Sequence, residues 1–158
     1  MMADLSGIKN FTEIDDLLGS AGQPTVEQFG DIQAAGYETV IYLGTPDSET
    51  ALPNEGELVT RQGMRYVHIP VVWTAPKKSD FELFAHILNA HQNSRVFTHC
   101  VVNMRASAFM FMYRIIYRGV DPSEAKRPMQ EIWDPNAVWE SFIDGILQEH
   151  DVDYFDID

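Results

Sequence analysis

The sequence has a single cysteine, Cys100, among its 158 residues, so no disulfide can form within the chain. Basic side chains are also scarce: 11 Lys and Arg stand against 24 Asp and Glu, a formal charge of −13. That balance argues against a nucleic-acid-binding protein and against attachment to anionic membrane surfaces. No apolar run approaches the ~20 residues that a membrane-spanning helix needs. Met1 to Gly7 has neither a basic start nor an apolar signal core, and a cytoplasmic protein is expected. Low-complexity tracts and internal repeats are missing. The scattered histidines His68, His86, His91 and His150 have no metal-ligand spacing with carboxylates or the cysteine, so no metal and no cofactor is expected.

What is present is an ordinary globular composition, 45% hydrophobic, in a length that suits one domain over residues 1–158. Helix and strand signals alternate. Thr25-Val26-Glu27-Gln28 is a capping box that opens a helix to Ala35, ended by Gly36 in a left-handed cap. Glu38 to Leu43 reads as a buried strand, a helix runs from near Asn54 to Gly63, and a second strand covers Arg65 to Ile69. Ser79-Asp80-Phe81-Glu82 reads as another capping box, starting a helix from Asp80 to His91, and a strand follows from Arg95 to His99. Ala106 to Tyr117 is apolar almost all round, as a covered central helix would be. Helices from Pro122 to about Ile132 and from Asn136 to about Glu149 complete the pattern, with Asp121 and either Asp134 or Asn136 as caps. Strands linked by helical crossovers pair in parallel and place ligand sites at their carboxyl ends.

Cys100 lies at such an end. In Val96-Phe97-Thr98-His99-Cys100-Val101-Val102-Asn103-Met104-Arg105-Ala106-Ser107 a β-type run stops at a His-Cys pair, and an arginine follows where the helical pattern begins. Loop amides and a helix start concentrate positive partial charge there, which favours a thiolate and an oxyanion beside it. A guanidinium binds such an anion through two parallel hydrogen bonds. Asn103 is a residue that readily takes the positive φ of a tight turn.

This segment resembles the signature of cysteine-dependent protein tyrosine and dual-specificity phosphatases. Arg65-Tyr66-Val67-His68-Ile69-Pro70-Val71 is similar to the strand that enters their general-acid loop. Gly119-Val120-Asp121-Pro122 and Asp134-Pro135-Asn136-Ala137-Val138-Trp139 are similar to their closing helices. Gly22-Gln23-Pro24 resembles bacterial phosphatase-like families. The resemblance implies a three-layer α/β fold with a mostly parallel central sheet flanked by helices. It also implies Cys100 as nucleophile, Arg105 on the phosphate oxygens, and Val101, Val102, Asn103 and Met104 as the phosphate-binding loop. His99 would orient that loop, with Ser107, Trp73 and Asn136 in support. The partner would be a phosphate or related oxyanion on a phosphorylated protein or small molecule.

Two features depart from the family pattern. Four residues rather than five separate Cys100 from Arg105, and Ala106 takes the usual hydroxyl position, so the hydroxyl that helps the cysteine depart either comes from Ser107 or is missing. The loop after Val71 reads Val72-Trp73-Thr74-Ala75-Pro76 and offers no acid. Asp80 is the nearest downstream carboxyl and the candidate general acid, although a carboxylate in a first helical turn is favoured by the dipole without any chemistry, and Asp47 and Glu49 lie in an earlier loop that could fold over the same mouth. The short loop also admits a rhodanese-like sulfurtransferase with a Cys100 persulfide, and the missing acid admits an oxyanion-binding module without turnover. In every case the thiol is expected at the mouth of an amide nest, with Trp73 and Pro76 as a lid or wall and Trp133 and Trp139 packed behind it.

Overall fold

A computed structural model describes residues 3–158. Five strands form one sheet in the order β1-β2-β5-β3-β4, where β1 is Thr12–Glu13, β2 Leu18–Ala21, β3 Tyr37–Tyr42, β4 Arg65–His68 and β5 Arg95–His99. All neighbours pair in parallel except β1 with β2. Helices α1 (Gln28–Ala34) and α2 (Glu55–Arg61) cover one face. Phe29, Ile32 and Val59 meet Val40, Tyr37 and Phe97 there. The other face carries α3 (Lys78–Ala90), α4 (Met104–Arg118), α5 (Pro122–Ile132) and α6 (Ala137–Gln148) around a larger apolar cluster. The result is the three-layer α/β arrangement expected. Among the described residues no helix is long and apolar enough to cross a membrane.

Strand alternation assigns side chains to the two layers. In β5, Val96 joins the larger cluster and Phe97 the smaller, so His99 turns toward α2. Tyr42 is paired in register with His68 on β4 and His99 on β5. Parallel strands lie ~4.7–4.9 Å apart, so three rings in register on one face stack. The centroids of His68 and His99 are each 4.7 Å from that of Tyr42, with planes within 19°.

Local signals survive where they are local. Thr25 and Gln28 exchange the two hydrogen bonds of a capping box, 2.9 and 3.3 Å, and Gly36 ends that helix at φ +93°. Asp121 accepts from the amides of Ser123 and Glu124, and Asn136 accepts from Trp139 N. The second box is a correction. The helix starts at Lys78 with Lys77 as N-cap, so Ser79 lies inside the first turn and caps nothing. The Lys77 carbonyl already accepts from Asp80 N and Phe81 N, which gives the helix an earlier start, and Lys78 pairs with Glu82 and Glu149. The Leu18–Ala21 strand and its β1 partner were not expected. Leu-Gly-Ser-Ala lacks β-branched residues, and its place is fixed by pairing with β5 from Leu18↔Val96 to Ala21↔His99.

Candidate active site

The loop from Cys100 to Asn103 joins the end of β5 to α4, and Arg105 is the second helical residue. Asn103 has φ +72°, as its residue type anticipates, and makes no side-chain cap. The turn therefore closes in four residues without a glycine. Its outward groups are clasped by two upstream segments. Val101 O accepts from Gln23 N at 3.0 Å, and Val102 forms an isolated antiparallel bridge with Gly22. A Cβ on Gly22 would lie 2.6 Å from Val101 O, so only glycine allows the approach. Asn10 Nδ2 donates to Val102 O at 3.0 Å and Asn103 Nδ2 donates to Asn10 O at 2.8 Å, a reciprocal asparagine clamp. With these carbonyls held outward, no acceptor among the described residues takes the amides of Val101, Val102, Met104 or Arg105.

Cys100 is not at an open mouth. It is 1% exposed and belongs to the larger apolar cluster, so the thiol is buried among hydrocarbon side chains. Arg105 is 7% exposed, and its Nη1 donates to Val71 O at 2.8 Å. The guanidinium is thereby fixed to the loop after β4. Phenolic Tyr42 senses this centre: burial, then the Glu55 charge, pushes its ionisation up to about 12, Arg105 opposes, and Cys100 and Asp47 add to the rise.

His99 is completely buried. Its Nδ1 lies 3.1 Å from Cys100 O, and its Nε2 lies 2.8 Å from Glu55 Oε2. Glu55 was missed by the sequence reading. Its position in the first turn of a short helix resembles ordinary dipole compensation, and its partner is 44 residues away.

The loop from Val71 to Pro76 is held through Trp73 by two further tryptophans. Trp73 packs on Trp133 and Trp139 at 5.3 and 5.6 Å between centroids, and Trp139 Nε1 donates to Trp73 O. Trp73 is 36% exposed, which fits a wall residue, whereas Trp139 is fully buried core. Asn136 contributes by capping α6, the helix that presents Trp139. Ser107 is engaged elsewhere: its hydroxyl donates to Met104 O at 3.0 Å and accepts from Trp133 Nε1 at 3.1 Å. It fastens α4 to the end of α5 and has no free proton for a departing thiolate. Asp80 is half-buried on the first turn of α3, where burial raises its carboxyl above the ordinary aspartate value and Lys77 opposes the rise. It makes no hydrogen bond to the cysteine loop, to Arg105 or to residues 71–76 among the described residues.

Comparison with known proteins adds an independent line. The family model described as a DSP-PTPase phosphatase fused to NAD+ kinase matches residues 9–139. A crystal structure of a DUF442 protein from Shewanella putrefaciens CN-32, described as a candidate phosphatase, superposes with a TM-score of 0.83 at 33% identity. It covers 92% of this chain and 95% of that one. Pseudomonas aeruginosa TpbA, as a cysteine-to-serine variant in complex with pTyr, has a TM-score of 0.62 at 18% identity, over 86% and 83% of the two chains. That likeness shows the fold alone. A beta-lactamase hydrolase-like protein of Xylella fastidiosa is 27% identical over 107 residues, 66% of this chain and 25% of that protein. The match therefore spans about a quarter of the curated relative. The family match and the structural likeness carry phosphatase descriptions and give the sulfurtransferase reading no support.

Proposed function

Since the chain belongs to the DSP-PTPase family whose model describes a phosphatase fused to NAD+ kinase, we propose that it is a cysteine-dependent phosphomonoester hydrolase. One observation carries the reading. Cys100 and Arg105 are the two ends of a closed turn whose carbonyls are clasped outward, leaving amides of Val101, Val102, Met104 and Arg105 for an anion. A helix start and a guanidinium on the same turn favour tetrahedral oxygens there.

In this mechanism the Cys100 thiolate attacks phosphorus, the bond to the ester oxygen breaks, and the alcohol leaves with a proton. Water then cleaves the phosphorus–sulfur bond, releasing inorganic phosphate and restoring the thiol. Arg105 uses one N–H on Val71 O and keeps its other donors for the equatorial oxygens. We assign the leaving-group proton to Asp80, whose burial favours the protonated carboxyl. The pTyr held by the TpbA neighbour makes an aryl phosphate the first substrate to assay.

The acid-free loop favours one second reading, an oxyanion-binding module without turnover. Both are tested with para-nitrophenyl phosphate on the wild type and Cys100→Ser. Phosphate release that is lost in the variant, with a phosphorylated Cys100 trapped on rapid quench, is the expected result. No release from the wild type, while inorganic phosphate still slows alkylation of Cys100, overturns the hydrolase in favour of the binding module.

A further inference from the structure

Glu55 is the only buried carboxylate among the described residues, 3% exposed, and the proposed reaction does not use it. Taking a carboxylate out of water costs several kcal/mol unless charge and hydrogen bonds compensate. Here both oxygens are engaged: Oε1 accepts from Gln23 Nε2 at 2.6 Å, and Oε2 meets His99 Nε2 at 2.8 Å. Burial works to raise the Glu55 carboxyl, yet His99, Gln23 and Tyr66 together hold it below the ordinary glutamate value.

The ring of His99 therefore faces two acceptors. A backbone carbonyl only accepts, so Nδ1 carries a hydrogen toward Cys100 O. An ionised carboxylate also only accepts, so Nε2 carries a hydrogen toward Glu55. A ring with both hydrogens is an imidazolium.

We propose that Glu55 is a positioning residue for Cys100: by fixing His99 as an imidazolium it anchors the Cys100 carbonyl and holds a positive charge against that residue's backbone. The proposal rests on reading Cys100 as the reactive group. The pair is neutral overall, but its positive end is nearer the cysteine, because the ring bonds that residue's own carbonyl and the carboxylate sits at the far nitrogen. Other groups bear on the same centre. Arg105 comes from α4 and Asp47 from the loop after β3. Tyr42 lies flat on His99, with His68 on its other side. Tyr66 reaches Glu55 from β4, and Phe29 and Phe97 border the ring without charge. Replacing Glu55 leaves Arg105, Asp47, His68 and the two phenylalanines in place and alters the setting of Tyr66 and Tyr42, which both feel the Glu55 charge. An amide at position 55 leaves the buried ring free to lose a proton, and the charge held against the Cys100 backbone disappears with it.

The lone cysteine makes alkylation by iodoacetamide a direct reading of Cys100. Its rate is followed against pH in wild type, Glu55→Gln and Glu55→Asp, with folding checked by circular dichroism. The midpoint of the Glu55→Gln curve is expected about one pH unit higher, a roughly tenfold loss of reactivity on the acid side, with Glu55→Asp restoring most of it. Superimposed curves for folded Glu55→Gln and wild type overturn the proposal. If Glu55→Gln does not fold, nitrogen NMR of His99 in the wild type decides. Two protonated ring nitrogens at neutral pH are expected, and a neutral ring overturns it. Neither readout needs phosphate turnover, so a protein that hydrolyses no phosphoester yet shows the shift sinks the hydrolase reading alone.

Discussion

Behind Cys100 the contacts are polar and closed: Asn10 and Gly22 to Gln23 hold the loop's carbonyls, and Gln23 continues to Glu55 and His99. In front, from Val71 to Pro76, the chain is apolar, tied down by Arg105 at Val71 O and by Trp139 at Trp73 O. The rear resembles an anion cradle whose carbonyls are engaged and whose amides are left open. The front has the position of an acid-bearing loop without an acid. The contrast separates two steps that phosphate chemistry normally couples. In the proposed reaction, binding and attack would depend on the rear, while protonation of the leaving group would depend on the front and be worth ~10²–10⁴-fold in rate.

The contrast is broken most strongly at Asp80. If this carboxyl delivers the leaving-group proton, Asp80→Asn lowers kcat for alkyl phosphates by about 10²-fold and leaves activated aryl phosphates nearly unchanged. The raised carboxyl ionisation has a definite sign: the protonated donor persists to higher pH than in an ordinary aspartate, so the basic limb of kcat lies correspondingly higher. A pH–rate profile on both substrates checks this. Equal loss, or no loss, on the two substrates removes Asp80 from the reaction and leaves the front without an acid.

The rear is probed at Asn10. Its φ of +52° makes glycine the clean replacement, since alanine would add backbone strain. Asn10→Gly removes the Nδ2 bond to Val102 O and keeps the backbone carbonyl that accepts from Asn103. One hydrogen bond contributes ~0.5–1.5 kcal/mol, so inorganic phosphate should bind about three- to tenfold more weakly, measured as protection of Cys100 from alkylation. Unchanged protection would mean that the four-residue turn holds its shape without the clamp.

Legibility followed the range of each interaction. The Thr25–Gln28 box, the left-handed Asn103 and the Asp121 cap involve groups within a few residues of one another and were readable from the sequence, and Asn136 was one of two candidates for the cap it forms. The Leu18–Ala21 strand was not, because pairing with β5 places it and its own residues do not. Gly19 has a reason only once Tyr37 lies over it: a Cβ would sit 2.4 Å from the Tyr37 hydroxyl oxygen. The same holds at the site. The order of Cys100 and Arg105 is local and visible, whereas the Asn10 clamp, the Gly22 approach and the Glu55 contacts join segments far apart in the chain, up to 93 residues for Asn10 and Asn103. Ser79 fell on the other side, a sound local cap overridden by a helix that begins one residue before it.

Ser107 gives the smallest effect and sharpens the comparison, because it lies on the helix of the rear and touches the front only through Trp133. A hydroxyl that assists the departing cysteine would be needed for the second chemical step. Its loss would let a thiophosphoryl enzyme accumulate, seen as a burst of leaving group followed by a slow steady state. The observed bonds give the opposite expectation, since the proton is directed to Met104 O and the oxygen is used by Trp133 Nε1. Ser107→Ala should turn over within about twofold of wild type and show no burst. It should also lose about 1–3 kcal/mol in urea unfolding, because the buried indole N–H is left without an acceptor. A burst at wild-type stability would instead place the hydroxyl at the cysteine during the reaction, in an arrangement of the α4 first turn different from the one described.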